Sequence, residues 1–190
     1  MKPWLAAHWV PAALTMGLML LSIAPVGVGD RSTGQMLIYL TLPGYMLHQV
    51  EEHWGDRFRT FVNTHVFGGL EALSVGDVLW INLPGVWGVN LLCLYASALW
   101  GPAWGLAAIY LMLVNGLTHI ASAAASRVYN PGLVTSLVIF MPLSIAGLAL
   151  IPASASQHVF GLAASLAIHA AIVARVLSEA KALRAKRATP

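Results

Sequence analysis

Residues 47–56 read LHQVEEHWGD and place four ionisable side chains, His48, Glu51, Glu52 and His53, within six positions. The run before them, GQMLIYLTLPGYM, carries no charge. Imidazole and carboxylate are ordinary ligands of Zn²⁺ and of non-haem Fe²⁺, and two histidines with one carboxylate form the facial triad of iron oxygenases. Carboxylates enclosed by apolar walls support a different chemistry, the shuttling of protons. A helix turns about 100° per residue, so His48, Glu51 and Glu52, three and four apart, share one face. On the same count His53 points away from that face, toward the membrane interface. A second polar pair, Asn115 and His119, is also four apart, with Ser122 and Ser126 further along its face.

Each of these groups also has a bland role. A polar cluster at a helix end is often solvated at headgroup level, and Asn115 and His119 suit hydrogen bonding between helices. The same holds for His169. His8 reads as interfacial, and His65 and His158 as loop residues. Cost gives the 48–53 cluster its weight. A carboxylate at the bilayer centre costs about 2.5–3.5 kcal/mol, and less near a helix end. No lysine lies at that depth, so the partners left are Arg127, protonated histidines or a bound metal ion.

The elements that must position these groups are membrane spans. The chain has 190 residues, 58% hydrophobic and 9% charged, with mean hydropathy +0.76. Soluble domains carry about 25% charged residues. A domain this small could not hide so much apolar surface from water. A span needs about 20 mostly apolar residues, and six segments qualify: 6–28, 34–54, 78–100, 103–126, 133–151 and 158–178. Turn chemistry separates them, as GDRSTG at 29–34, GPAW at 101–104, YNPG at 129–132 and IPASASQ at 151–157. Residues 56–73 carry Phe58, Phe61, Val62, Val66 and Leu70 at helical spacing among polar residues, as a short interfacial helix does. The expected fold is all-α: a polytopic helical bundle of about six spans plus this interfacial helix, forming one transmembrane domain over 1–190.

With six spans both termini share a side. If that side is the cytoplasm, Lys2, Arg57, Arg59, Arg127, Arg175, Lys181, Arg184, Lys186 and Arg187 are inside and only Arg31 is outside, as the positive-inside rule requires. The basic C-terminal stretch is then topogenic and lipid-facing, and no nucleic acid is expected as a partner. Trp4, Trp9, Trp54, Trp80, Trp100 and Trp104 fall near span ends as an aromatic belt. The single cysteine, Cys93, excludes an intramolecular disulfide. This topology brings His48, Glu51 and Glu52 to one depth with Asn82, Asn115, His119, Arg127 and Tyr129. Pro43-Gly44 is expected to kink the second span, and Pro84-Gly85 to break the third.

His48-Gln-Val-Glu51-Glu52, His119 and Tyr129-Asn130-Pro131-Gly132, in that order, resemble the HXXEE family over about residues 37–150. The resemblance carries over His48, Glu51, Glu52, His119, Tyr129, Pro131 and Gly132; Asn82 and Asn115 come from spacing and depth. It implies site residues rather than a reaction. The leading expectation is a membrane enzyme acting on a hydrophobic small molecule (a lipid, isoprenoid or polyketide), with membrane lipids around it. His48, Glu52 and His119 would hold a divalent metal, Zn²⁺ or non-haem Fe²⁺. Glu51 would be a general base or further ligand, and Tyr129 a proton donor. Asn82, Asn115 and Arg127 would serve substrate or ligands. The alternatives are a metal-free isomerase or cyclase using Glu51 and Glu52, and a proton- or ion-coupled transporter.

Overall fold

A computed structural model describes residues 3–28 and 32–188. Lys2, Arg31 and the first half of the GDRSTG turn lie outside the described residues. All regular structure among the described residues is helical. The long helices are α1 (Pro3–Val28), α2 (Thr33–His53), α4 (Val75–Trp100), α5 (Pro102–Ser126), α6 (Leu133–Leu150) and α7 (Ala155–Ala188), with a short α3 (Arg57–Phe61) between α2 and α4. Five of these, all but α2 and α3, are long and apolar enough to cross a membrane. At 21 residues α2 spans about 31 Å, the thickness of a hydrocarbon core. It falls short on hydropathy because it carries Gln35, His48, Gln49, Glu51, Glu52 and His53. It is the central helix, packed by α1, α4, α5 and α6.

Local chemistry sets the ends. Ser32 caps α2 by accepting from the Gln35 N–H at 3.3 Å. Ser74 and Asp77 form a capping box at the start of α4. Ser154 and Gln157 do the same for α7. The expected break at Pro84-Gly85 does not occur. Helix α4 continues through a wide, π-type turn at Ile81–Trp87, which accommodates the proline without a donor N–H. A similar turn at Ser136–Phe140 precedes Met141-Pro142. Pro43 lies inside a continuous α2.

The expected interfacial helix is shorter than its periodicity. Residues 57–66 are helical, ending in a π-type turn at Val62–Val66. Beyond them the chain folds back as a loop. Asn63 pins that loop: its Nδ2 donates to Leu73 O and its Oδ1 accepts from Leu73 N, both at 2.9 Å. The hydrophobic repeat fits because Phe61 and Leu70 are both buried, one in a helix and the other in the loop beyond it.

The start of α1, the end of α2, the start of α4 and the later part of α7 meet in one apolar cluster of Trp9, Val10, Leu73, Val78, Leu79, Val176 and Ala180. A second cluster, with Tyr45, Val86, Leu111, Met112 and Phe140, fills the middle of the bundle. Between the two lies a belt of polar side chains. Trp9 leaves the expected aromatic belt: it is buried, 5.0 Å from the His53 ring. Trp4, Trp54, Trp80, Trp100 and Trp104 are exposed.

Candidate metal centre

The last turns of α2 aim His48 and Glu52 inward, and α5 brings His119 to meet them. All three are buried, and one ligand atom from each lies within 4.8 Å of the others. His48 Nε2 is 3.5 Å from Glu52 Oε2, and His119 Nε2 is 3.5 Å from Glu52 Oε1. Those separations are long for hydrogen bonds. They match the edge of a ligand shell: donors bonded to Zn²⁺ at about 2.0–2.1 Å stand roughly 3.4 Å apart in a tetrahedron.

The outer nitrogens are held by polar partners. His48 Nδ1 lies 2.8 Å from Thr135 Oγ1, and that hydroxyl lies 2.5 Å from Glu51 Oε2. A hydroxyl has one hydrogen. Given to the Glu51 carboxylate, it leaves Thr135 Oγ1 to accept from His48 Nδ1–H. His48 Nε2 is then a bare lone pair turned into the cluster, and it has no hydrogen-bond partner. His119 Nδ1 is 3.2 Å from Asn130 Oδ1, an acceptor, so its Nε2 also faces inward as a lone pair. Second partners that fix the metal-binding tautomer in this way are usual around ligating histidines.

Glu51 does something else. Its carboxylate accepts from Tyr129 Oη at 2.6 Å, Val134 N at 3.0 Å, Thr135 N at 2.7 Å and Thr135 Oγ1 at 2.5 Å. It caps the N-terminus of α6, where unpaired N–H groups and the helix dipole favour a negative charge. The expectation of Glu51 as general base or ligand therefore meets a carboxylate already occupied by four donors. Burial and the adjacent Glu51 push the Tyr129 hydroxyl up to about 12, so it holds its proton and donates to Glu51. The cavity beside the cluster is lined by neither residue. The shared helix face predicted from spacing is wide enough to serve two neighbours: Glu52 turns to α5 and Glu51 to α6.

Gly132 shows why the Y-x-P-G turn ends in glycine. Its φ is +98°, and a Cβ there would sit 2.7 Å from both His119 Cε1 and His48 Cε1. The turn thus passes between the two imidazoles, and only a residue without a side chain fits.

His53 is a correction. It is buried, with Nε2 3.0 Å from Glu52 Oε2 and 3.2 Å from Asn82 Nδ2. The side expected to face headgroups is covered by Trp9 of α1 and Asn82 of α4, and the helix loosens at His53 (φ −112°, ψ −5°). Asn82 is fully engaged. Its Oδ1 accepts from Gln49 Nε2 at 2.8 Å, and its Nδ2 donates to Val78 O at 2.8 Å. Trp87 Nε1 donates to Gln49 Oε1 at 2.7 Å, closing that network. Arg127 is exposed, with left-handed backbone (φ +56°), and no ion pair joins it to Glu51 or Glu52 among the described residues. Thr135, Asn130, Gln49 and His53 are the parts that sequence reasoning missed. Thr135 and Asn130 lie in or just after the Y-x-P-G turn, which was the available signal.

A cavity of about 430 Å³ opens beside the cluster. Glu52, His53, Asn82, Asn115, His119, Asn130 and His169 supply its polar belt. Tyr45, Val86, Leu111 and Ile168 line it on one side of the belt, and Phe58, Phe61, Val62 and Leu73 on the other. His169 donates Nδ1–H to Ser165 O at 2.9 Å, as its structural role required.

The fold and the site define an all-helical protein of multi-pass membrane character with a buried His–Glu–His group able to hold a metal ion. The chain belongs to the HXXEE family: residues 39–147 match the family described as a protein of unknown function with HXXEE motif. No curated protein and no solved structure matches it.

Proposed function

We propose that the protein is an integral-membrane, metal-dependent enzyme acting on a hydrophobic small molecule. The observation that carries this reading is the pair of imidazole Nε2 atoms, each 3.5 Å from an oxygen of one buried carboxylate, with His48 Nε2 left without a hydrogen-bond partner. His48, Glu52 and His119 would hold the ion. A divalent ion bound by two imidazoles and a carboxylate polarises a substrate oxygen or activates water. Thr135 and Asn130 orient the ligands. Asn115, which lines the cavity, would bind the substrate's polar group. The apolar walls on both sides of the belt support a substrate with a large apolar part. Six helices, α2 included, would cross the membrane with both termini in the cytoplasm, a reading supported by the charge distribution.

Elemental analysis of protein purified without chelators tests the centre. The expected result is about one Zn or Fe per chain, lost in His48→Ala and His119→Ala. Metal-free protein that keeps its activity in both variants would sink the reading. A second reading is favoured by one contact, the 3.0 Å approach of His53 Nε2 to Glu52 Oε2. It makes Glu52, with His53, a metal-free acid/base pair for an isomerase or cyclase. Activity that survives chelation but is lost in Glu52→Gln would select it.

A further inference from the structure

The cavity has a mouth, and its place in the bundle bears on what enters. Near its start α7 is pressed against α5: a Cβ on Gly161 would lie 3.2 Å from the Leu106 carbonyl carbon, and Ser165 Oγ donates to Tyr110 O at 3.0 Å. Further along, α7 leaves α5 and crosses to the start of α4. There Arg175 Nε donates to Asp77 Oδ1 at 3.2 Å, and Val176 and Ala180 join Val78 and Leu79 in one apolar cluster. The divergence opens a wedge between α5 and α7. Three cavity-lining residues at this wedge are exposed: Thr118 on α5, Ala171 on α7 and Val66 from the π-type turn after α3.

Both walls of the wedge are helices apolar enough to cross a membrane. Ala171 precedes Arg175, the first basic residue of α7, by about one helical turn, or 5.4 Å. With α5 and α7 crossing a membrane, the opening would lie at the boundary between hydrocarbon and headgroups and face sideways. A molecule with an apolar body in the acyl region and a polar end at the headgroups can pass through it without changing depth. Inside, it meets the polar belt with its polar end and the Tyr45, Val86 and Leu111 wall with its body. The volume of about 430 Å³ falls low in the range of small-molecule sites, about 300–1,000 Å³, which suits one chain or a compact ring system and not a two-chain phospholipid.

We propose that the wedge between α5 and α7 is a lateral portal for a lipid with a single apolar body and one polar end, taken directly from the surrounding leaflet. Its polar end lies against Glu52, His119 and Asn115. The proposal rests on the reading of Glu52 and His119 as the reactive centre, and its test separates the two. A diazirine-bearing hexadecanol is incorporated into nanodiscs with the full chain and photolysed, and the labelled residues are mapped by mass spectrometry. Metal content is measured on the same samples. Labels are expected on Val86, Leu111 or Ile168, inside the cavity. Ala171→Trp, which fills the mouth from an exposed position, should lower interior labelling several-fold and leave lipid-facing Leu162 and Leu166 labelled as before. Ala163→Trp, the same change at an exposed position elsewhere on α7, should leave interior labelling intact. Absence of interior labels in the unsubstituted protein, or interior labelling unchanged by Ala171→Trp, overturns the portal. Protein without metal that still shows the portal pattern overturns the metal centre instead.

Discussion

At the scale of residues, the chain from Glu51 through Thr135 to His48 explains why two adjacent glutamates occur where charge is costly. Glu51 commits its oxygens to the start of α6 and to the Thr135 hydroxyl, and that hydroxyl in turn holds His48 Nδ1–H. One consequence is measurable. Thr135→Val removes the acceptor for His48 Nδ1–H with little change in volume, so metal affinity should fall by about 10–100-fold. Thr135→Ser keeps the hydroxyl and should bind as the parent does. Competition with a chromophoric chelator reads both, and equal affinity in the Val variant would show that Thr135 does not orient the ligand. Gly132 gives a second prediction. Gly132→Ala forces an L side chain into left-handed backbone, at a cost of about 1–2 kcal/mol, and also drives a methyl between the two imidazoles. Gly55→Ala, at φ +68° with nothing within 4 Å of the added Cβ, carries only the backbone cost. Thermal melts should therefore drop for both, and metal content only for Gly132→Ala. His48, Glu52 and His119 were legible from ligand chemistry and helical spacing joined to topology. The division of labour between Glu51 and Glu52 was not, because spacing gives a face and only the packed neighbours decide what that face meets. His53 was misjudged for the same reason: its angle on α2 was readable, and the presence of Trp9 and Asn82 there was not.

At the scale of elements, periodicity and turn residues located the long helices to within a few residues, with one exception at the end. The sixth expected span stops at 178, and α7 continues to Ala188 because its alanines, leucine, lysines and arginines are strong helix formers. The break expected at Pro84-Gly85 does not occur since a π-type turn, which absorbs the missing donor, has no signature in hydropathy. The segment between α2 and α4 was legible only in its first half. The loop beyond Val66 is held by long-range bonds from Asn63, which no local pattern announces. Asn63→Ala removes both bonds and leaves the buried Leu73 N–H and C=O unpaired, at a cost of about 1–3 kcal/mol. Because this segment walls one side of the cavity through Phe58, Phe61 and Leu73, the loss should loosen the wall and spare the bundle. Hydrogen exchange at residues 67–74 should accelerate, with exchange in α5 and α6 unchanged. Protection of 67–74 equal to the parent's would show that the asparagine clamp is dispensable.

At the scale of the whole molecule, the decisive helix is the one that hydropathy alone passes over. Helix α2 holds two of the three cluster residues, and the other helices shield it, so its buried face need not be apolar to be accommodated in a bilayer. The ends that meet around Trp9, Val78 and Val176 are the start of α1, the end of α2, the start of α4 and the later part of α7. That arrangement is an up-and-down order in which α2 runs the full depth of the bundle beside α1. If α2 crosses the membrane, the turns before α2 and before α7 face one side, and the α3 segment and the end of α7 face the other. Single cysteines at exposed positions read this directly, and the native Cys93 is buried and should stay silent. Ser32→Cys and Ser154→Cys should react with a membrane-impermeant maleimide in intact cells. Thr60→Cys and Lys186→Cys should react only after permeabilisation if the proposed orientation, with the basic residues at that end in the cytoplasm, holds. Equal labelling of Ser32→Cys and Thr60→Cys from outside would mean that α2 returns without crossing. The cluster would then open to the external face, and the portal would draw from the outer leaflet.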